Sequence, residues 1–214
     1  MSIAILFNGP AGSGKDTLAK LLVAKLNGWH RNEPRRRANH REFKEALFSM
    51  ALALSGLTKA EWDYLYHRER KELPTPALGG YSPRGFLIHI SESIIKPMYG
   101  EGEFGKRARK ATVDNPGHYH VFSDSGFLSE AVALTDLHHV VVFRLFREGF
   151  TFEGDSRNYI DPAAAGQFDI VVHDIVLEDG QPHKAVEEVM NAVCEDYRKR
   201  MALVRSAVEG ALHD

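Results

Sequence analysis

Gly9-Pro10-Ala11-Gly12-Ser13-Gly14-Lys15-Asp16-Thr17, entered from the apolar run Ile3-Ala4-Ile5-Leu6-Phe7, decides how this chain is read. Beyond it, Leu18, Leu21, Leu22 and Leu26 recur at helical spacing. Strand, glycine-rich turn, lysine and helix form the context in which such a turn binds phosphate. Glycines let successive backbone N–H groups converge on an anion, and the new helix aims the positive end of its dipole at the same point. Lys15 adds a mobile charge for the β- and γ-phosphates. The candidate ATP-binding set is therefore Gly9, Ala11, Gly12, Ser13, Gly14, Lys15, Asp16 and Thr17.

A Ser or Thr usually follows the lysine directly, and its hydroxyl binds Mg²⁺. Here Asp16 stands in that place and the hydroxyl comes one residue later, at Thr17. Asp16 either contacts a metal-bound water or only favours the first helical turn through its charge. Working outward, three more apolar runs read as buried parallel strands: His120–Asp124, His139–Arg144 and Phe168–His173. Asp124, Arg144 and His173 fall at their carboxyl ends, where ligands of a parallel α/β sheet gather. Asp124 joins Asp16 and Thr17 as a candidate for holding Mg²⁺ or its waters, or else it holds an arginine or the acceptor.

Between the first helix and these strands the texture is helical. Phe43–Leu57 carries apolar residues at helical spacing, Thr58 is a candidate cap for a helix from Lys59, and a further helix starts near Pro83. The polar, basic stretch 28 to 41 reads as a solvated loop or a substrate-capturing one. A long helix from about Pro182 to Ala207 closes the chain. The expected organisation is a single domain: an α/β core over about 1 to 34 and 113 to 214, a helical insertion over about 35 to 112, and a lid over about 147 to 165.

Composition sets bounds. The chain has 214 residues, 27 Lys and Arg, 29 Asp and Glu, and a net charge of −2, so no global basicity points to a nucleic-acid partner. Cys194 stands alone, which rules out an intrachain disulfide and fits a reducing cytosol. No apolar run reaches the roughly 20 residues that a membrane span needs. The chain enters a strand and phosphate loop at once, from which no cleaved signal peptide is expected. The eleven histidines lack metal-ligand spacing, and no Gly-x-Ser-x-Gly elbow supports a hydrolase triad.

Phosphoryl transfer to an anionic acceptor needs positive charge on both sides of the migrating group, and Arg grips phosphate bidentately. Two clusters supply it. One holds Arg84 behind Ser82-Pro83, Glu92, and then Arg107 and Arg109. The other runs from Arg144 and Arg147 to Gly154-Asp155-Ser156-Arg157, where Arg147 and Arg157 would ride on a closing lid. The plainer readings are exposed charge for the first and, for the second, pairing of the arginines with Glu153 or Asp155.

Lys15-Asp16-Thr17, the Ser82–Lys96 stretch, Ser123-Asp124-Ser125-Gly126-Phe127 with Glu130, and the Arg147–Tyr159 segment together resemble the bacteriophage-type deoxynucleoside monophosphate kinases. The resemblance implies a three-layer P-loop kinase fold with a parallel central sheet, a helical acceptor-binding insertion and a lid. It implies Mg²⁺-assisted transfer of the ATP γ-phosphate to a dNMP, giving dNDP and ADP, in the cytoplasm (the host's, for a phage-encoded enzyme). The expected roles are catalytic for Lys15, Arg147, Arg157 and Asp124, and acceptor-binding for Arg84, Glu92, Arg107 and Arg109. Where that family often has an arginine after the strand-end acid, this chain has Ser125-Gly126. Two other readings are another small-molecule P-loop kinase and a non-catalytic nucleotide-binding module. Nucleotides are the expected partners, membranes are not, and a homodimer is left open.

Overall fold

A computed structural model describes residues 2–155 and 157–211. The chain runs β1 (Ser2–Asn8), α1 (Lys15–Trp29), β2 (Ala38–Arg41), α2 (Glu45–Ser55), α3 (Lys59–Leu65), α4 (Pro83–Ile88), a π-helical turn (His89–Ile95), α5 (Lys96–Tyr99), α6 (Glu103–Asp114), β3 (Tyr119–Ser125), α7 (Leu128–Val132), β4 (His138–Phe146), α8 (Pro162–Gly166), β5 (Val171–Val176) and α9 (Pro182–Ala211). Among the described residues the strands form one parallel sheet in the order β2-β3-β1-β4-β5. The apolar run of β1 thus lies at the centre, and its register pairs Leu6 with Phe122 of β3 and with Val142 of β4.

Period-two alternation sorts the strand residues onto two faces. Ile3, Ile5 and Phe7 pack with Leu18, Leu22 and Leu26 of α1 and Val186, Val189 and Val193 of α9. Ala4 and Leu6 pack with Phe43, Phe122, Ala131, Leu134 and Ile160 on the other face. The result is a three-layer α/β architecture, with helices on both faces of a parallel sheet. The insertion has a core of its own, built from Ala51, Trp62, Leu78, Leu87, Ile90, Ile95 and Phe104. Thr58 caps α3 as expected, in a full capping box with Glu61.

Several expectations change. The basic stretch is not all loop: Ala38–Arg41 forms edge strand β2 beside β3. Its polar sequence, Ala-Asn-His-Arg, hides it, because an edge strand buries little of either face. The sheet therefore reaches into the span assigned to the insertion. So does α6, which buries Ala108 in the core of the sheet. Strand β5 begins at Val171 rather than Phe168. Asp169 sits at φ 58°, and Phe168 and Ile170 donate their N–H groups to the Ala165 carbonyl in the turn that leaves α8. Among the described residues no helix is long and apolar enough to cross a membrane.

Candidate functional site

At the carboxyl ends of β1 and β3 the glycine-rich turn opens onto a cleft of about 640 Å³ that extends to the helices of the insertion. Gly12 and Gly14 hold φ angles of 80° and 104°, a left-handed backbone that a side chain would strain. Lys15 is buried, and its ammonium donates to the carbonyls of Gly9 (2.7 Å) and Pro10 (2.6 Å). Burial, followed by the nearby Arg157 charge, brings its pKa down to about 8, while the carboxylates of Asp16, Asp124 and Asp155 pull the other way. Three carboxylates therefore converge near Lys15.

Asp124 lies in β3, next to β1, so the strand order delivers it to the loop. Its Oδ1 accepts from the Phe43 N–H (2.8 Å) and its Oδ2 from the Lys44 N–H (3.1 Å), which ties the approach to α2 onto the sheet. Burial raises its pKa, against the charge of Lys44. Glu130 also lines the cleft and is buried. Burial, reinforced by Asp124, pushes its pKa up to about 8, so it is neutral at pH 7. The Gly126 N–H donates to its Oε2 at 3.4 Å.

Arg157 comes from the segment expected to form a lid and reaches the end of β3 just after Asp124. Arg157 lies across Gly126 so closely that a Cβ there would stand 2.3 Å from its Cδ. Its Nε and Nη2 donate to the two carboxylate oxygens of Asp155 (3.0 and 2.6 Å), the bidentate geometry that Arg offers a phosphate. Arg84 reaches the same carboxylate at 4.0 Å and Glu72 at 3.5 Å. Phe150 covers the loop from the other side, 2.9 Å from where a Gly12 Cβ would be. Asn8 anchors the base of the lid. Its Nδ2 donates to the carbonyls of Ser125 (3.3 Å) and Asn158 (3.0 Å), and its Oδ1 accepts from the Ile160 N–H (2.8 Å). Ser156 lies outside the described residues.

Seven basic side chains line the cleft against six acids, one of which, Glu130, is neutral; the surplus is positive. Lys44, Arg68 and Lys71 were not singled out in the sequence, and Lys96 entered only as the end of the Ser82–Lys96 stretch. They come from loops and helix starts whose convergence only the fold creates. Glu92, within the π-helical turn, and Lys96, directly after it, line the cleft 2.8 Å apart, with the Lys96 ammonium 4.6 Å from the Phe127 ring centre. Such turns often occur at functional sites.

Other expected residues lie elsewhere. Arg107 pairs with Glu103 of its own helix and Arg109 with Asp136, both away from the cleft. Arg144 is engaged by Asp174 (2.6 Å) and His173 by Asp196 (2.6 Å), so neither strand position faces the loop. Arg147 pairs with Asp179 (2.7 Å) and lies near Gly14, bordering a separate cavity of about 430 Å³ beside the lid. Thr17 is exposed and does not line the cleft, whereas Asp16 does. The Pro83-Arg84 helix start offers no spare donors: the Arg84 N–H goes to the Lys71 carbonyl (3.0 Å) and the Gly85 N–H to the Ser82 hydroxyl (3.1 Å). Tyr99 is exposed and Ile90 belongs to the core of the insertion.

No protein-family model matches the chain, and no curated protein matches it. Among solved structures it is similar to a plasmid partition protein from Borrelia burgdorferi, with 13% identity over 89% of this chain and 86% of that one and a TM-score of 0.40.

Proposed function

We propose that this chain is an ATP-dependent deoxynucleoside monophosphate kinase, transferring the γ-phosphate of ATP to a dNMP. One observation carries the reading. The phosphate loop with Lys15 shares a single cleft with Arg157, Arg84, Lys44 and Lys71, so positive charge lies on both sides of the place where a γ-phosphate would sit. A nucleotide-binding module without an acceptor has no need of the second set.

The chemistry asks for alignment and charge neutralisation rather than a covalent intermediate. The loop N–H groups and Lys15 take the donor phosphates. Arg157, already forked around a carboxylate, takes charge on the migrating group or on the acceptor phosphate, and Arg84 takes the acceptor phosphate through its guanidinium alone. The oxygen donors Asp16 and Asp124 suit Mg²⁺, which is bound through one or two carboxylates and keeps several waters. When bound, that ion supplies neutralisation of the β- and γ-oxygens. The lid, by covering Gly12 with Phe150, excludes water from the transferred group.

The test is ADP release from ATP and Mg²⁺ with each dNMP added singly. Turnover with at least one of them is expected, together with a loss of about a hundredfold or more in kcat for Lys15→Ala, the scale of removing one preorganised charge contact. The melting temperature of that variant should stay within a few degrees, since the lysine is desolvated rather than ion-paired. No ADP release with any dNMP, or near-normal turnover of Lys15→Ala, overturns the reading.

A further inference from the structure

A second concentration of positive charge lies at the opposite end of α1 from the phosphate loop, about 22 Å away at 1.5 Å per residue over its 15 residues. Trp29 ends that helix and is 61% exposed. Its indole stacks on His30 (ring centres 5.4 Å apart, 15° between planes), and His30 stacks on Tyr119 (5.9 Å, 22°). The outer ring of this three-ring stack therefore has a firm backing and a face open to solvent.

The chain then passes through Arg31, Arg35, Arg36 and Arg37, all exposed. Residues 28 to 41 hold five arginines and a single acid, Glu33, in a protein whose net charge is −2. Arg41 donates to the carbonyls of Ala111 and Asn115, and Arg36 pairs with Glu33 at 3.0 Å. The side chains of Arg31, Arg35 and Arg37 make no hydrogen bond or ion pair among the described residues. The Arg37 carbonyl accepts from the N–H groups of His118 (2.9 Å) and Tyr119 (3.1 Å), which fixes the arginine-bearing segment beside the ring stack.

We propose that Trp29 and the arginines at 31, 35, 36 and 37 form a binding site for single-stranded nucleic acid, separate from the cleft. An unpaired base would stack on the open face of Trp29 while the guanidiniums take the flanking phosphates, the combination that holds single strands without sequence preference. A duplex hides its base faces and offers the indole nothing. The site does not depend on the kinase reading: it uses none of the residues of the cleft, and it stands or falls by binding alone.

The whole protein is titrated into a labelled 15-nucleotide oligothymidylate at about 50 mM salt and followed by anisotropy, and Trp emission is recorded in the reverse titration. Trp62 is 1% exposed, so quenching by a bound base reports on Trp29. Binding with quenching is expected. Its log K should fall with log salt at a slope of roughly −2 to −3, that is, about −0.7 for each of three or four phosphates. The Arg35→Glu/Arg37→Glu double variant, which breaks no internal bond, should weaken binding at least tenfold, and Trp29→Ala at least fivefold with loss of the quench. The proposal is overturned if anisotropy does not change, if the double variant binds like the parent, or if a duplex of equal length binds as tightly.

Discussion

Glu130 departs far from its exposed counterpart. Its pKa stands at about 8 against 4.5 for the unfolded carboxyl, chiefly through burial. A raised folded pKa means that the native state holds a proton the unfolded chain has lost between those values. Its contribution to stability is complete below about pH 4.5 and disappears as pH rises through 8. Each pKa unit is worth about 1.4 kcal/mol, so the effect reaches several kcal/mol. Glu130→Gln keeps an acceptor for the Gly126 N–H and has nothing to ionise. Thermal melts from pH 5 to 8.5 should show the parent losing stability relative to this variant, with the two close together at pH 5. Parallel curves would mean that Glu130 titrates near its ordinary value. Lys15 follows the opposite sign: its depressed pKa of about 8 makes the native state gain stability as pH rises from 8 towards 10.5.

At the scale of elements, the lid is latched to the end of β3 through one glycine. Arg157 can lie over Gly126 only because no Cβ is there; the clash is with Cβ, Cγ and Cδ of the arginine, at 2.8, 2.5 and 2.3 Å. Gly126→Ala should therefore dislodge Arg157 and reproduce the kinetic defect of Arg157→Ala, with kcat falling more than KM rises, because charge brought by the lid is felt most in the transition state. The double variant should be no worse than either single one, since both remove the same contact. Additive losses in steady-state kinetics would show that Gly126 acts apart from Arg157. Arg147, paired with Asp179 outside the cleft, should respond differently: Arg147→Ala should change KM for ATP with little effect on dNMP.

At the scale of the whole molecule, the sheet and the insertion each bring their own charges to one cleft. Arg84 comes from the insertion, and its guanidinium, not the helix start, is what it offers. Arg84→Ala should weaken dNMP binding by about 1.5–3 kcal/mol, the range for hydrogen bonds to charged groups, and leave ATP affinity nearly unchanged. Calorimetric titration of each nucleotide separately decides it; equal losses for both would place the acceptor elsewhere.

The glycine-rich turn, the central strands and the layers around them were legible in the sequence. These depend on local rules: glycine at positive φ, apolar runs for buried parallel strands, 3.6-residue periodicity for helices, and a Thr-x-x-Glu cap at Thr58. The sequence also placed Asp124 beside the loop and offered Glu153 or Asp155 as partners for Arg147 or Arg157, without choosing among them. It did not reveal β2, whose polar edge has no pattern, nor the absence of Arg107, Arg109, Arg144 and His173 from the cleft. It could not bring Lys44, Lys71 and Lys96 to the site. Which charges meet depends on how elements far apart in the chain cross in space, and side-chain periodicity carries no record of that. Only the tertiary structure set Arg157 over Gly126 and buried Glu130 beneath it, because both follow from backbone approach and desolvation, which arise when the layers close.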